Sequence, residues 1–222
     1  DRPKPFVEVG GKPFIDHLIA HAKCQGVERV LLLAGHAAGW IAAHYRCSVA
    51  GVNVVLSTEP RPMGTAGALL LVREALDDVF LLLNGDSILN GSWTGLMPLV
   101  AEEGVSIALG TRIVADTSRY GRVIVEAGKV SAFAEKAQGG AGDINAGIYL
   151  VRRDMLLPRL GGPASLEQDV LPQLVAEGSV VAASISGYFV DIGLPETLAL
   201  ARANGVPDAS KYKKVEDICL PN

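Results

Sequence analysis

The chain has 222 residues, of which 49% belong to the hydrophobic set AVILMFWYC and 20% are charged, with a formal net charge of −4. Such a composition can bury a core, which excludes a disordered or collagen-like chain, and its acidic balance lacks the basic footprint of a nucleic-acid binder. Length alone fits one large domain or two very small ones.

In chain order, Phe14, Leu18, Ile19 and Ala22 recur at helical spacing after Pro13, a favourable first-turn residue, and predict a helix. Arg29–Ala34, Val52–Leu56 and Val79–Leu83 are continuous apolar runs, as expected of strands buried on both faces of a parallel sheet. Ala66–Ala75 predicts a helix before the last of them, and this βαβαβ rhythm is the doubly wound pattern. The second half changes character. Val105–Gly110, Gly121–Glu126 and Val130–Ala134 read as strands, with Glu126-Ala127-Gly128-Lys129 as a hairpin turn. A strand over Ile144–Val151 follows, then helices around Asp154–Leu160 and Leu166–Ala176. Strands at Val180–Ile185 and Gly187–Asp191 and a helix over Pro195–Ala203 complete the pattern. The expected fold is α/β, a Rossmann-like doubly wound mixed sheet with β-hairpin insertions in its second half. It is expected to form one domain over residues 1–210, with a C-terminal extension over 211–222.

Three cysteines, Cys24, Cys47 and Cys219, form an odd set with no C-x-x-C spacing, which argues against a disulfide framework or a thiolate zinc site. No secretory signal opens the chain and no apolar run approaches the ~20 residues that span a bilayer. No membrane partner and a cytoplasmic location are therefore expected. His17 and His21 are i,i+4 neighbours, but without a third ligand they read as a solvated helix face.

Ligands of open α/β sheets bind at the carboxyl ends of the strands. The segment from Thr58 and Glu59 to Gly64-Thr65-Ala66-Gly67 sits there, and its glycines allow close approach of a ligand to the backbone. Asn84-Gly85-Asp86 follows the run Val79–Leu83, and Val190-Asp191-Ile192-Gly193 follows another. Each aspartate alone fits a cap or turn. Together they suit Mg²⁺, which takes one or two carboxylates and completes its shell with phosphates and water. Lys4, held between Pro3 and Pro5, and Lys136, beside Glu135, are the basic candidates.

These motifs, in this order, resemble sugar-1-phosphate nucleotidylyltransferases from Arg2 to about Asn204. The matching elements are Pro3-Lys4-Pro5 with Gly11-Lys12-Pro13, Gly64-Thr65-Ala66-Gly67, Gly85-Asp86 and Tyr120-Gly121. Phe133-Ala134-Glu135-Lys136, Asn145-Ala146-Gly147 and Asp191-Ile192-Gly193 continue the series. The resemblance implies a nucleotidyltransferase fold akin to GT-A glycosyltransferases, with a nucleoside triphosphate and a sugar 1-phosphate as small-molecule substrates and Mg²⁺ as cofactor. It implies that Asp86 and Asp191 hold the metal, that Lys4 meets the triphosphate, and that Lys136 meets the sugar phosphate. Glu59, Gly64, Thr65 and Gly85 correspond to nucleotide-binding positions. Gly121, Glu135, Asn145 and Gly147 correspond to sugar-contacting ones.

The family's loop of the form G-G-x-G-T-R, which precedes Pro-Lys-Pro, is not among these residues, so a chain of only these residues is expected to fold poorly and turn over slowly. Leu194 stands where the family often carries Thr. Gly64-Thr65-Ala66-Gly67 resembles the guanylyl-transferring branch. The expected reaction is GMP transfer from GTP to D-glycero-D-manno-heptose 1-phosphate, giving a nucleotide-sugar for surface polysaccharide. Mannose 1-phosphate guanylyl transfer and amino-sugar 1-phosphate uridylyl transfer are the alternatives. An inactive nucleotide-sugar-binding regulatory homologue is an alternative of another class, against which Lys4, Asp86, Lys136 and Asp191 all speak. A glycosyltransferase of similar fold would use Asp-x-Asp, and position 84 is Asn. Homo-oligomerisation stays open.

Overall fold

The protein is described by a computed structural model at residues 2–35, 38–45, 47–134 and 139–207. In chain order the first elements are β1 (Glu8–Val9), β2 (Lys12–Pro13), α1 (Phe14–Cys24), β3 (Arg29–Ala34), α2 (Ala38–His44), β4 (Ser48–Val49) and β5 (Val52–Thr58). Helix α3 (Gly64–Gly67) runs on as a 3₁₀ helix, Ala68–Ala75, toward β6 (Val79–Leu83), β7 (Ser87–Asn90) and α4 (Leu96–Val100). Strands β8 (Ile107–Val114), β9 (Arg122–Glu126), β10 (Lys129–Ala134) and β11 (Gly142–Arg152) follow, then α5 (Arg153–Leu156) and α6 (Leu171–Ala176). The last elements are β12 (Val180–Ser184), β13 (Tyr188–Asp191) and α7 (Pro195–Asn204). Among the described residues no helix is long and apolar enough to cross a membrane.

The chain divides into two compact units. The first takes the described residues of Asp1–Pro60, Asn84–Thr94 and Gly187–Asn222. In it β3 and β5 pair in parallel from Arg29 opposite Asn53 to Ala34 opposite Thr58, as their apolar runs predict, and β4 adds antiparallel to β5. Helix α1 buries Phe14, Ile15, Leu18, Ile19 and Ala22 as one apolar stripe. Strands β7 and β13 form an antiparallel ladder in which Asp191 lies opposite Ser87.

The solvated reading of His21 is overturned, because its side chain is only 2% exposed. Its Nε2 lies 3.1 Å from the Gly91 carbonyl, which can only accept, so the ring is the Nε2–H tautomer. Its ring meets Trp93 edge-on at 4.7 Å, and burial lowers its pKa from 6.5 to about 4 although the Gly91 bond works against the shift. In the unfolded chain the same ring gains a proton below pH 6.5, so the unfolded state binds more protons and stability falls as pH drops. This contribution is intact above pH 6.5, is lost between pH 6.5 and about 4, and amounts to about 3 kcal/mol. A His21→Met variant should show a correspondingly flatter stability profile in urea unfolding between pH 7.5 and 4. Coincident profiles would rule out burial of a neutral imidazole.

The second unit takes Arg61–Leu83 and Gly95–Ser186. Its six-stranded sheet has the order β6-β11-β8-β12-β10-β9, with β9 also touching β11. Only β8 and β12 run parallel, and Ile107, Leu109, Tyr149, Leu156, Leu174 and Val180 are buried within the unit. The hairpin at Glu126–Lys129 forms as expected, with Ala127 and Gly128 at φ 48° and 80°.

Three local readings differ from expectation. Val79–Leu83 does not extend the parallel pair β3–β5 but pairs antiparallel with β11, because continuous hydrophobicity reports burial on two faces and not strand direction. Ala66–Ala75 is α-helical only to Gly67. Beyond it, burial of Leu69 and Val72 at a spacing of three suits the tighter 3₁₀ winding. The stretch Leu166–Ala176 starts as a π-helical turn over Leu166–Val170, since Pro172 has no N–H to donate back along the helix.

Candidate functional site

Site residues fall in both units. In the first, Pro3 and Pro5 hold Lys4–Phe6 in one 3₁₀ turn, closed by Phe6 N–H to Pro3 O at 2.9 Å and Val7 N–H to Lys4 O at 3.0 Å. Buried Phe6 anchors that turn edge-on against Trp40 and Tyr45, with centroids at 5.5 and 5.0 Å. Burial, and then the hydrogen bond to Asp16, raise the Tyr45 pKa and keep that anchor neutral.

Lys4 stands out from the turn and its ammonium donates to the Gly193 carbonyl at 3.1 Å. Gly193 N–H donates to Asp191 Oδ1 at 2.8 Å, a turn closed on the aspartate's own backbone. One residue away, Ile192 N–H donates to the Asp86 carbonyl at 2.9 Å and extends the β7–β13 ladder past its end. Lys4, Asp86 and Asp191 are thus linked through two short backbone segments although 187 residues (191 − 4) separate the first from the last. Gly85 belongs to the same group. A Cβ there would sit 3.2 Å from Pro5 Cγ, so the Pro-Lys-Pro turn packs closely against the Gly85 backbone. Glu59 continues the β5 ladder by donating its N–H to Ala34 O at 3.0 Å, with its carboxylate over Gly35.

The donor set around Asp86 and Asp191 suits a hard cation. Among the described residues no three His, Cys, Asp or Glu side chains group as a metal cage. Mg²⁺ takes one or two carboxylates and completes its shell with phosphates and water.

In the second unit, Gly64 and Thr65 are bound into the backbone. Ala66 and Gly67 N–H groups donate to Ala164 O at 3.0 and 3.1 Å, and Ala164 N–H returns to Met63 O at 2.8 Å. Thr65 Oγ1 accepts Leu166 N–H at 2.8 Å, while Ser165 Oγ accepts Gln168 N–H and Asp169 accepts Ser165 N–H. Three N-terminal donors of the next helical segment are so satisfied, one of them by a hydroxyl 101 residues away.

Asn145 and Gly147 lie at a β-bulge. Asn145 lies opposite Thr111 and Ile148 opposite Gly110, so the register shifts with Ala146 and Gly147 inserted on β11. Gly147 takes φ 72°, which a Cβ disfavours. Its N–H donates to Asn145 Oδ1 at 2.9 Å, and Asn145 Nδ2 donates to Tyr149 OH at 2.7 Å. Tyr149 OH in turn lies 3.3 Å from Glu167 Oε1. The sequence reading singled out neither Tyr149 nor Glu167, because nothing in spacing pairs a strand tyrosine with a helix-start glutamate. Gly121 has φ 75° and donates its N–H to Thr117 O at 3.2 Å. Glu135 and Lys136 lie outside the described residues, as does the whole of the expected extension over 211–222.

Known guanylyltransferases are similar to this chain. The chain is 32% identical over 202 residues to the zebrafish (Danio rerio) mannose-1-phosphate guanylyltransferase catalytic subunit beta, covering 87% of this chain and 56% of that protein. It thus spans about half the length of such relatives. It is 26% identical over 196 residues to the D-glycero-alpha-D-manno-heptose 1-phosphate guanylyltransferase of Aneurinibacillus thermoaerophilus, covering 87% of this chain and 85% of that one. The crystal structure of HddC from Yersinia pseudotuberculosis complexed with GMP-PN superposes with a TM-score of 0.83 at 28% identity, over 92% of this chain and 90% of that one. The nucleotidyl transferase family model matches residues 1–205, and with the mixed α/β fold and the ordered motifs in place, the chain belongs to the nucleotidyl transferase family.

Proposed function

We propose that this chain transfers GMP from GTP to a sugar 1-phosphate, with D-glycero-D-manno-heptose 1-phosphate as the acceptor. A phosphate oxygen of the sugar phosphate attacks the α-phosphorus of GTP. A new P–O bond forms there, the bond to the β-phosphate oxygen breaks, and pyrophosphate leaves with the electron pair. The nucleophile is already an anion, so no side chain has to remove a proton. The protein's task is to align two polyanions and oppose the charge that builds on the phosphoryl oxygens.

The observation that carries this reading is the linkage of Lys4, Asp86 and Asp191 through Gly193 and Ile192. Lys4 supplies a fixed positive charge to the triphosphate. Asp86 and Asp191 would hold Mg²⁺, which neutralises phosphate charge when bound. Asn145 and Gly147, with Gly121, Glu135 and Lys136, are assigned to the sugar phosphate, and Glu59, Gly64, Thr65 and Gly85 to the nucleotide. We take these roles to belong to one transferase domain over residues 1–210, acting in the cytoplasm, where nucleoside triphosphates are available.

The Yersinia complex with GMP-PN supports a guanine nucleotide, and the Aneurinibacillus relative supports a heptose acceptor. Mannose 1-phosphate is the second reading, favoured by the higher identity to mannose-1-phosphate guanylyltransferases. Pyrophosphate release with GTP, UTP, CTP and dTTP against both sugar phosphates separates them. GTP with the heptose phosphate is expected to exceed the mannose pair by about tenfold in kcat/KM, the scale set by a small difference in pocket contacts. Faster turnover with mannose 1-phosphate would select the second reading, and no GTP-dependent release would remove both.

A further inference from the structure

We propose that Tyr149 and Glu167 are positioning residues for the sugar phosphate, which fix the orientation of the Asn145 amide. This deepens the proposed function and rests on Asn145 contacting the sugar.

The argument starts from chain geometry. In a regular strand, residues i and i+4 lie about 13 Å apart, too far for a direct hydrogen bond between Asn and Tyr side chains on one face. The bulge at Ala146-Gly147 gathers the chain, and Asn145 Nδ2 reaches Tyr149 OH at 2.7 Å. A bulge is a common device for re-aiming a side chain, and here the re-aimed group is the asparagine amide.

The hydrogen-bond chemistry then sets which way that amide points. An ionised glutamate can only accept, so Tyr149 donates its single hydroxyl proton to Glu167 Oε1. The tyrosine oxygen must therefore accept from Asn145, which turns the amide nitrogen toward Tyr149. Gly147 N–H can only donate, and it holds the amide oxygen from the other side at 2.9 Å. The two constraints agree, and an inverted amide would break both. Tyr149 is 0% exposed, so the hydroxyl that passes this order from Glu167 to Asn145 is fixed in the core. Glu167 is exposed, which makes it the accessible end of the relay. Beyond these two bonds, an Asn side chain retains one N–H and one lone pair, which suits a sugar hydroxyl that both donates and accepts.

The test measures KM for the sugar phosphate and for GTP separately in the intact protein, with mannose 1-phosphate and D-glycero-D-manno-heptose 1-phosphate as the probes. Asn145→Ala tests the underlying reading and should raise the sugar-phosphate KM about tenfold or more, with the GTP KM unchanged. Tyr149→Phe keeps the buried ring, removes the hydroxyl, and should raise the same KM about threefold to tenfold. In the Asn145→Ala background, Tyr149→Phe should add nothing, because its effect passes through Asn145. Should Tyr149→Phe unfold the core, the exposed end answers alone. Glu167→Ala should raise the sugar-phosphate KM, whereas Glu167→Gln, whose amide oxygen still accepts the tyrosine proton, should restore it. If Asn145→Ala leaves the sugar-phosphate KM unchanged, the sugar assignment itself fails. If Asn145→Ala acts but Tyr149→Phe is silent or additive with it, or Gln fails to rescue at position 167, the positioning relay fails while the sugar assignment stands.

Discussion

Replacing Asp86 or Asp191 by Asn is expected to lower kcat/KM for GTP-dependent pyrophosphate release by about 10²–10³-fold, equivalent to roughly 3–4 kcal/mol of transition-state stabilisation. The substitution removes a negative charge and almost no volume. At position 191 the amide oxygen of Asn can still accept the Gly193 N–H that now bonds Asp191 Oδ1 at 2.8 Å, so the turn carrying the Gly193 carbonyl toward Lys4 survives. At position 86 the contact that extends the β7–β13 ladder is made by the backbone carbonyl, which the substitution does not touch. Thermal unfolding should therefore match the parent protein while turnover collapses. The double variant should be little worse than either single one, because two ligands to one ion act as a unit. Full Mg²⁺-dependent turnover in either variant would sink the metal assignment and the mechanism built on it.

Gly64→Ala is expected to cost about 4 kcal/mol of stability in denaturant unfolding without any nucleotide present. The residue holds φ 72°, and a Cβ there would stand 2.4 Å from the Ala164 carbonyl oxygen and 2.7 Å from its carbon. Backbone strain and overpacking thus act together. The neighbouring chain cannot step aside cheaply, since that same carbonyl accepts from Ala66 and Gly67 while Ala164 N–H and Leu166 N–H are held by Met63 and Thr65. Gly161→Ala, with open space where its Cβ would go, serves as a control within about 0.5 kcal/mol of the parent. A Gly64→Ala protein as stable as its parent but weak in GTP binding would make this glycine a nucleotide contact and not a packing requirement.

Several elements were legible from local pattern because their cause is local. The runs Arg29–Ala34 and Val79–Leu83 are strands with those same ends, the Glu126–Lys129 turn closes its hairpin, and the helix begins at Phe14 behind Pro13. Ser87–Asn90 was not legible. Four residues carry too little periodicity to mark a strand, yet all four are buried, and their pairing with Tyr188–Asp191 is what brings the two aspartates into adjacent segments. His21 misled for a related reason. Its i,i+4 spacing to His17 describes α1 correctly, but the groups that bury it, Gly91 and Trp93, lie some 70 residues further on.

The amino-acid sequence by itself determined the chemistry available to this protein: two strand-end carboxylates, a proline-flanked lysine, and glycines where backbone must come close. Its motif order alone pointed to the nucleotidyl transferase family. Only the tertiary structure decided strand direction, the backbone linkage from Lys4 through Gly193 and Ile192 to Asp86, and the orientation of the Asn145 amide. Residue type and short-range spacing fix what a side chain can donate, accept or bury. Which partner it meets depends on long-range pairing, whose free energy is shared over many residues and leaves no local mark in the chain.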